Sequence, residues 1–356
     1  MSLSIGIVGL ANVGKSTLFN ALLKESKAVV SNYPFCTIEP NVGVIKVPDT
    51  RLDELQELLK VPKKIPAPVK FIDIAGLIKG AHKGEGLGNQ FLANIREADA
   101  LAIVLRAFAD SKITSTQKEI NPQQEFETIK TELILKDIET CQKRVKSLKK
   151  EIKSGDKLAK MQFEIIKKTL SLLDENKLAQ DASLNREEHK LIKDLNLLTL
   201  KPMLAVLNCD EKDLKNPPFI PDLPEERQIE IAVKTEAELA DLSENEQQEY
   251  LNSLGLAEPS LNRLIRASYH LLNLITFYTF TSELVQAWPI PKNTPAPNAG
   301  SVVHTDFEKK FIKAQVIACE DLKNTESYEK AKSAGKIRVE GKKYEIQDGD
   351  VVKFII

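Results

Sequence analysis

Gly9-Leu10-Ala11-Asn12-Val13-Gly14-Lys15-Ser16 sets two glycines, with four residues between them, directly ahead of a Lys-Ser pair. Glycines at those positions let backbone N–H groups close around a phosphate at the positive end of a following helix. Lys15 then adds a point charge to the β and γ oxygens, and the Ser16 hydroxyl can ligate Mg²⁺. Asp73-Ile74-Ala75-Gly76 supplies two further parts, a carboxylate for the same ion and a glycine N–H that can meet a γ-phosphate. Thr37, in a loop rich in Pro and Asn between the two motifs, can close its hydroxyl onto the metal when a triphosphate is present. Together these residues describe a Mg²⁺-dependent triphosphate site. Its phosphate lining is expected from Asn12, Val13, Gly14, Lys15, Ser16 and Thr17, its metal ligands from Ser16, Thr37 and Asp73, and its catalytic contacts from Lys15, Thr37 and Gly76.

A base would be read at a later strand end, where Leu204-Ala205-Val206-Leu207 runs into Asn208-Cys209-Asp210-Glu211. Guanine-specific switches use Asn-Lys-x-Asp there, and the Asp accepts hydrogen bonds from the ring N–H and the exocyclic amine. Here Glu211 is longer by one methylene and Cys209 replaces the Lys that packs along the base. Asn208, Cys209 and Glu211 are therefore expected at the base, with guanine selectivity lost, because a site built to hydrogen-bond a group discriminates only while its acceptor is matched. Leu77 stands where many small switch proteins place a Gln that orients the attacking water. Hydrolysis is then expected to be slow and to rely on positioning, Mg²⁺ and an added charge, for which Asn12 is a candidate K⁺ ligand.

The elements that must hold these residues are legible in outline. Ser4-Ile5-Gly6-Ile7-Val8 is an apolar β-branched run, and Leu18, Leu22 and Leu23 follow at helical spacing, which predicts strand, loop and helix around the phosphate loop. Val69 to Ile72, Ala100 to Leu105 and Met203 to Leu207 are further buried strands alternating with helices, the pattern of a mostly parallel α/β sheet. Between Asn121 and Thr199 the strand signal disappears. Ile138, Cys141, Val145, Leu148 and Ile152 recur at spacings of three and four, Ser154-Gly155-Asp156 interrupts, and Leu158, Met161 and Ile165 resume the pattern. This predicts an inserted antiparallel helical hairpin, and its Lys136 to Lys168 span holds eleven basic against five acidic residues. Such a run is either a solvated face or a contact for an anionic partner. Ser243 to Glu246 forms a capping box and Gly255 a stop. From Phe277 onward, alternating runs and hairpin-like turns at Glu340-Gly341-Lys342 and Asp348-Gly349-Asp350 predict a separate β-rich module of about eighty residues.

Composition excludes several classes. With 356 residues, 50 Lys plus Arg against 51 Asp plus Glu and a hydrophobic fraction of 42%, the chain is globular and not fibrous or disordered. Its longest uncharged stretch, Ala267 to Ser282, is sixteen residues and includes His270, short and polar for a membrane span. The start does not look like a secretory signal, so a cytoplasmic location is expected. Cys36, Cys141, Cys209 and Cys319 have neither zinc nor disulfide spacing. No DNA contact is expected of a nearly neutral chain.

Tyr33-Pro34-Phe35-Cys36-Thr37-Ile38-Glu39-Pro40-Asn41, Asp73 to Leu77, Gly84-Glu85-Gly86-Leu87-Gly88-Asn89, Asn208 to Glu211 and His304-Thr305-Asp306-Phe307-Glu308-Lys309 occur in an order that resembles the YchF or Obg-like ATPase family, nearly end to end. The resemblance implies a G domain (1–120 and 200–276), a helical insertion (121–199) and a C-terminal TGS domain of ubiquitin-like β-grasp fold (277–356). It also implies a preference for ATP over GTP and association with ribosomes and their RNA. Ala11 departs from the family's usual Pro, and Ser115 falls where many members carry His, so no hydrolytic role passes to that position. Two other readings use the same residues: an RNA or ribosome adaptor with a structural nucleotide, and a P-loop small-molecule kinase, which needs an acceptor pocket and usually a basic lid, and for which neither an Arg-rich lid nor a reason for a terminal TGS-like module is visible.

Overall fold

The computed structural model describes residues 3–26, 41–74, 95–109 and 120–356. Strand β1 (Ser4–Val8) is buried at all five positions, as a central parallel strand covered on both faces must be. It leads through the phosphate loop into α1 (Lys15–Ser26). Strands β2 (Val42–Lys46), β4 (Pro68–Asp73), β5 (Ala100–Ala107), β6 (Met203–Cys209) and β7 (Gln228–Ile231) complete a six-stranded sheet in the order β2-β4-β1-β5-β6-β7. All neighbours are parallel except β2 and β4. The β2 and β7 strands are too short and half-exposed to stand out in the sequence. Register decides the site: Ile7 pairs with Asp73, so the β4 carboxylate finishes beside the start of the phosphate loop.

Helix α2 (Thr50–Leu59) is capped by the Asp49 side chain, which accepts from Arg51 N. The insertion between β5 and β6 is the predicted hairpin. Its first arm, α3 (Pro122–Lys153), is capped by Asn121, and its second, α4 (Lys157–Asp174), by Asp156. Gly155 turns the chain between them at φ +90°. Cys141 and Leu148 are buried as expected, but Leu158 and Met161 are 63% and 56% exposed. Ile165 is buried as expected, and Ala159, Ile166 and Leu173, at a spacing of seven, complete the seam in place of Leu158 and Met161. Asp137, fully enclosed, accepts from Leu198 N, Thr199 N and Thr199 Oγ1 at 2.6–2.8 Å and ties the hairpin to its base. Burial pushes its carboxyl up to about 6 against those three bonds. A short helix α5 (Arg186–Ile192) follows, and after β7 come α6 (Val233–Leu239), α7 (Glu244–Leu254) and α8 (Ser260–Leu271).

The C-terminal sheet is built from β3 (Lys63–Ile65), β8 (Leu274–Phe280), β9 (Leu284–Pro291), β10 (Lys313–Ala318), β11 (Arg338–Glu340) and β12 (Asp350–Ile355), in the order β11-β10-β12-β8-β9-β3. An antiparallel β8–β9 hairpin, helices α9 (Ala296–Val303), α10 (Thr305–Lys309), α11 (Cys319–Thr325) and α12 (Tyr328–Ser333), and a last strand parallel to the first give β-grasp topology. Two expectations are corrected. The turns at Gly341 and Gly349 do not close hairpins, because β11 and β12 both pair with β10. Nor is the module separate: β3 (Lys63–Ile65) joins it in parallel beside β9. One face of the sheet, with Tyr278, Val285 and Val351, shares the main core, while the other packs Phe277, Ile290 and Val316 into its own. Arg51 also binds both Asp49 and Asp348, at 2.9 and 2.7 Å.

Candidate functional site

The phosphate loop is held open by backbone geometry. Asn12 adopts φ +63° and Gly14 φ +100°, the left-handed region that Asn and Gly tolerate. A Cβ on Gly9 would lie 2.5 Å from Val104 O, and one on Gly14 would lie 2.4 Å from Asn208 Nδ2, so only glycine lets the loop lie on its neighbours. Leu18 N donates to Gly14 O at 2.9 Å and starts α1 from the loop itself. Lys15, 7% exposed, donates from Nζ to Leu10 O at 2.5 Å. Burial lowers the Lys15 pKa, opposed by the charges of Asp73 and Glu125. Ser16 and Thr17 are exposed at the mouth, whereas the Val13 side chain is buried and only its backbone can serve a ligand.

Ser16 Oγ lies 3.4 Å from Asp73 Oδ2. Burial raises the Asp73 pKa, and Lys15 and the Ser16 hydroxyl pull it back. A hydroxyl and a carboxylate side by side are hard oxygen donors, and Mg²⁺ takes one or two such protein ligands with phosphate and water completing its shell. The pair fits that ion. Thr37, Gly76, Leu77, Ser115 and the segments Tyr33 to Pro40 and Gly84 to Asn89 lie outside the described residues.

At the far end, Asn208 acts as a strut. Its Nδ2 donates to Val13 O at 2.9 Å and its Oδ1 accepts from Val233 N at 3.2 Å, which fixes the phosphate loop to β6 and α6. Cys209 is 3% exposed with its thiol turned to Leu207 O, and burial pushes it up to about 12. Asp210 accepts from Ala109 N at 3.1 Å. Glu211 is exposed, and its Oε2 accepts from Thr235 Oγ1 at 3.1 Å and the Tyr250 hydroxyl at 3.0 Å.

Three participants escaped the sequence. Glu125, in the first turn of α3, accepts from Arg106 N at 2.9 Å and lies close enough to Lys15 to act on its charge. Thr235 and Tyr250 reach Glu211 from helices well downstream. No local motif marks any of them, since each belongs to the site only through tertiary packing.

A parallel sheet with a phosphate loop after its first strand, a carboxylate at the end of the adjacent strand and an Asn-x-x-Glu turn farther along defines a P-loop nucleotide-binding protein of the switch type. Residues 4–137 match a family profile described as 50S ribosome-binding GTPase, and residues 274–356 match YchF-GTPase_C, described as a protein of unknown function. The chain belongs to the YchF family. It is 47% identical to a protein of Pasteurella multocida named ribosome-binding ATPase YchF, with 99% of each chain covered. It is 45% identical to the protein of that name from Bacillus subtilis, again with 99% of each covered. The solved structure of the Schizosaccharomyces pombe YchF GTPase superposes with a TM-score of 0.89 at 34% identity, covering 99% of this chain and 98% of that one. The relatives' names thus differ on the base, ATPase in the bacterial proteins and GTPase in the yeast structure.

Proposed function

We propose that the protein is a ribosome-associated, cytoplasmic switch that binds ATP in preference to GTP and hydrolyses it slowly with Mg²⁺. The observation that carries this is the joined site: Lys15 and the Ser16–Asp73 pair at one end, Glu211 in place of Asp at the other, and Asn208 between them. Lys15, Thr37 and Gly76 would contact the γ-phosphate, and Ser16, Thr37 and Asp73 would hold Mg²⁺, which supplies charge to the phosphate oxygens. Leu77 offers no hydrogen bond to water, so Asn12 is assigned the further task of holding K⁺ near the β–γ bridge. Cys209, being buried, shapes the strand end and does not stack on the base.

Residues 1–120 and 200–276 are read as the G domain, 121–199 as the insertion and 277–356 as a TGS domain. Lys146, Lys149 and Lys153 are exposed on α3 and form the surface suited to ribosomal RNA, a contact that salt weakens. The test is to titrate ATP and GTP side by side and then to sediment the protein with ribosomes in each nucleotide state. ATP should bind more tightly, and reversing the charge of the three lysines should reduce cosedimentation. A clear preference for GTP overturns the base assignment, and salt-insensitive binding unaffected by the reversals overturns the RNA contact.

A further inference from the structure

The two hydroxyls on Glu211 bear on selectivity in a way that its identity alone does not. A carboxylate offers about two lone-pair positions on each oxygen. Both hydroxyl bonds, from Thr235 on α6 and Tyr250 on α7, fall on Oε2, which leaves Oε1 for a ligand. Guanine presents two parallel donors, its ring N–H and its 2-amino group, and a carboxylate meets them with one oxygen each. Adenine offers a single donor, its 6-amino group, beside a ring acceptor.

We infer that Thr235 and Tyr250 are specificity-determining positioning residues: by occupying Oε2 they make Glu211 a one-oxygen acceptor, which suits the single donor of adenine and denies the two donors of guanine an oxygen each. The inference rests on Glu211 facing the base, as proposed above. It assigns the preference to three side chains from three elements, with the extra methylene of Glu211 carrying its carboxylate to where both hydroxyls reach it.

The experiment measures ATP, GTP and ITP affinities for the wild type, Tyr250→Phe, Thr235→Val, the two combined, and Glu211→Ala. ITP keeps the ring N–H of GTP but lacks the 2-amino group. The wild type should bind GTP and ITP equally, because the second donor finds no acceptor. In the combined variant Oε2 is released, and GTP should gain over ITP by about tenfold or more, the worth of one hydrogen bond to a charged carboxylate. The ATP:GTP ratio should fall by a similar factor. Thr235→Ser keeps its hydroxyl and should keep the wild-type ratios, and in the Glu211→Ala background the other substitutions should change nothing. An altered ATP:GTP ratio in Glu211→Ala with an unmoved GTP:ITP ratio in the combined variant overturns the inference and leaves the base assignment standing. An ATP:GTP ratio unmoved by Glu211→Ala overturns both. Thermal unfolding of each variant separates loss of fold from loss of selectivity.

Discussion

The two ends of the nucleotide site are built from different materials. At the phosphate end the working parts are backbone: left-handed Asn12 and Gly14, and glycines pressed against Val104 O and Asn208 Nδ2, with the buried Lys15 charge beside them. At the end proposed for the purine they are side chains, with Glu211 exposed and supported by Thr235 and Tyr250. The glycines of a backbone cradle accept almost no substitution, because a Cβ at Gly9 or Gly14 collides, whereas a hydrogen-bonded side-chain set can exchange members and change its ligand while the fold stays intact. The base preference of such a protein can therefore change during evolution while its triphosphate chemistry stays constant.

Breaking the phosphate end should have the largest effect. Gly14→Ala must place its Cβ on Asn208 Nδ2 at a φ that disfavours Ala. Binding of ATP and GTP should both fall by at least about 100-fold, measured by calorimetry. Near-normal affinity would show that the loop relaxes and is not a rigid cradle.

Cutting the strut comes next. Asn208→Ala leaves Val13 O without its donor and Val233 N without its acceptor, both buried. Stability to urea should drop by roughly 2–4 kcal/mol, and both purine nucleotides should bind more weakly. A loss confined to one of them would place Asn208 at the base alone and dissolve the link between the two ends.

The smallest effect is expected from the cation. Turnover should be a few-fold faster in KCl than in NaCl, and Asn12→Gly should lose the difference while still binding ATP. Glycine is the right replacement, since Asn12 sits at φ +63° and Ala would strain the loop. Equal rates in the two salts for the wild type would exclude K⁺ from the phosphate end.

The phosphate end could be read from the chain because its chemistry is local: Gly9 to Ser16 must be contiguous to make a cradle, and Asp73 announces itself at the end of an apolar run. Asn208 to Glu211 could be found for the same reason, but the burial of Cys209 could not, since the side-chain direction at a strand end is set by neighbouring strands. Thr235, Tyr250 and Glu125 were invisible because helices packed from elsewhere deliver them. The hairpin was legible as two amphipathic helices. In its second arm Ile165 lies inside, but Leu158 and Met161 are apolar without being inside, because exposed apolar residues at the start of a helix read like the seam that Ala159 begins. Strand β3 is only three residues long, with two of them exposed, and carries no hydrophobic pattern to connect it with a sheet more than two hundred positions away.

That strand has a consequence for how the molecule can be dissected. Lys63 to Ile65 form the outer rail of the C-terminal sheet, so cutting the chain ahead of Leu274 would divide one hydrogen-bonded ladder between two fragments. The C-terminal fragment would carry a naked β9 edge ready to recruit a foreign strand, and the N-terminal fragment would lose the surface that covers Asp49 and Arg51. The boundary at which the sequence changes texture is thus not a seam at which the protein comes apart, and the C-terminal sheet is better regarded as a graft than as an appendage.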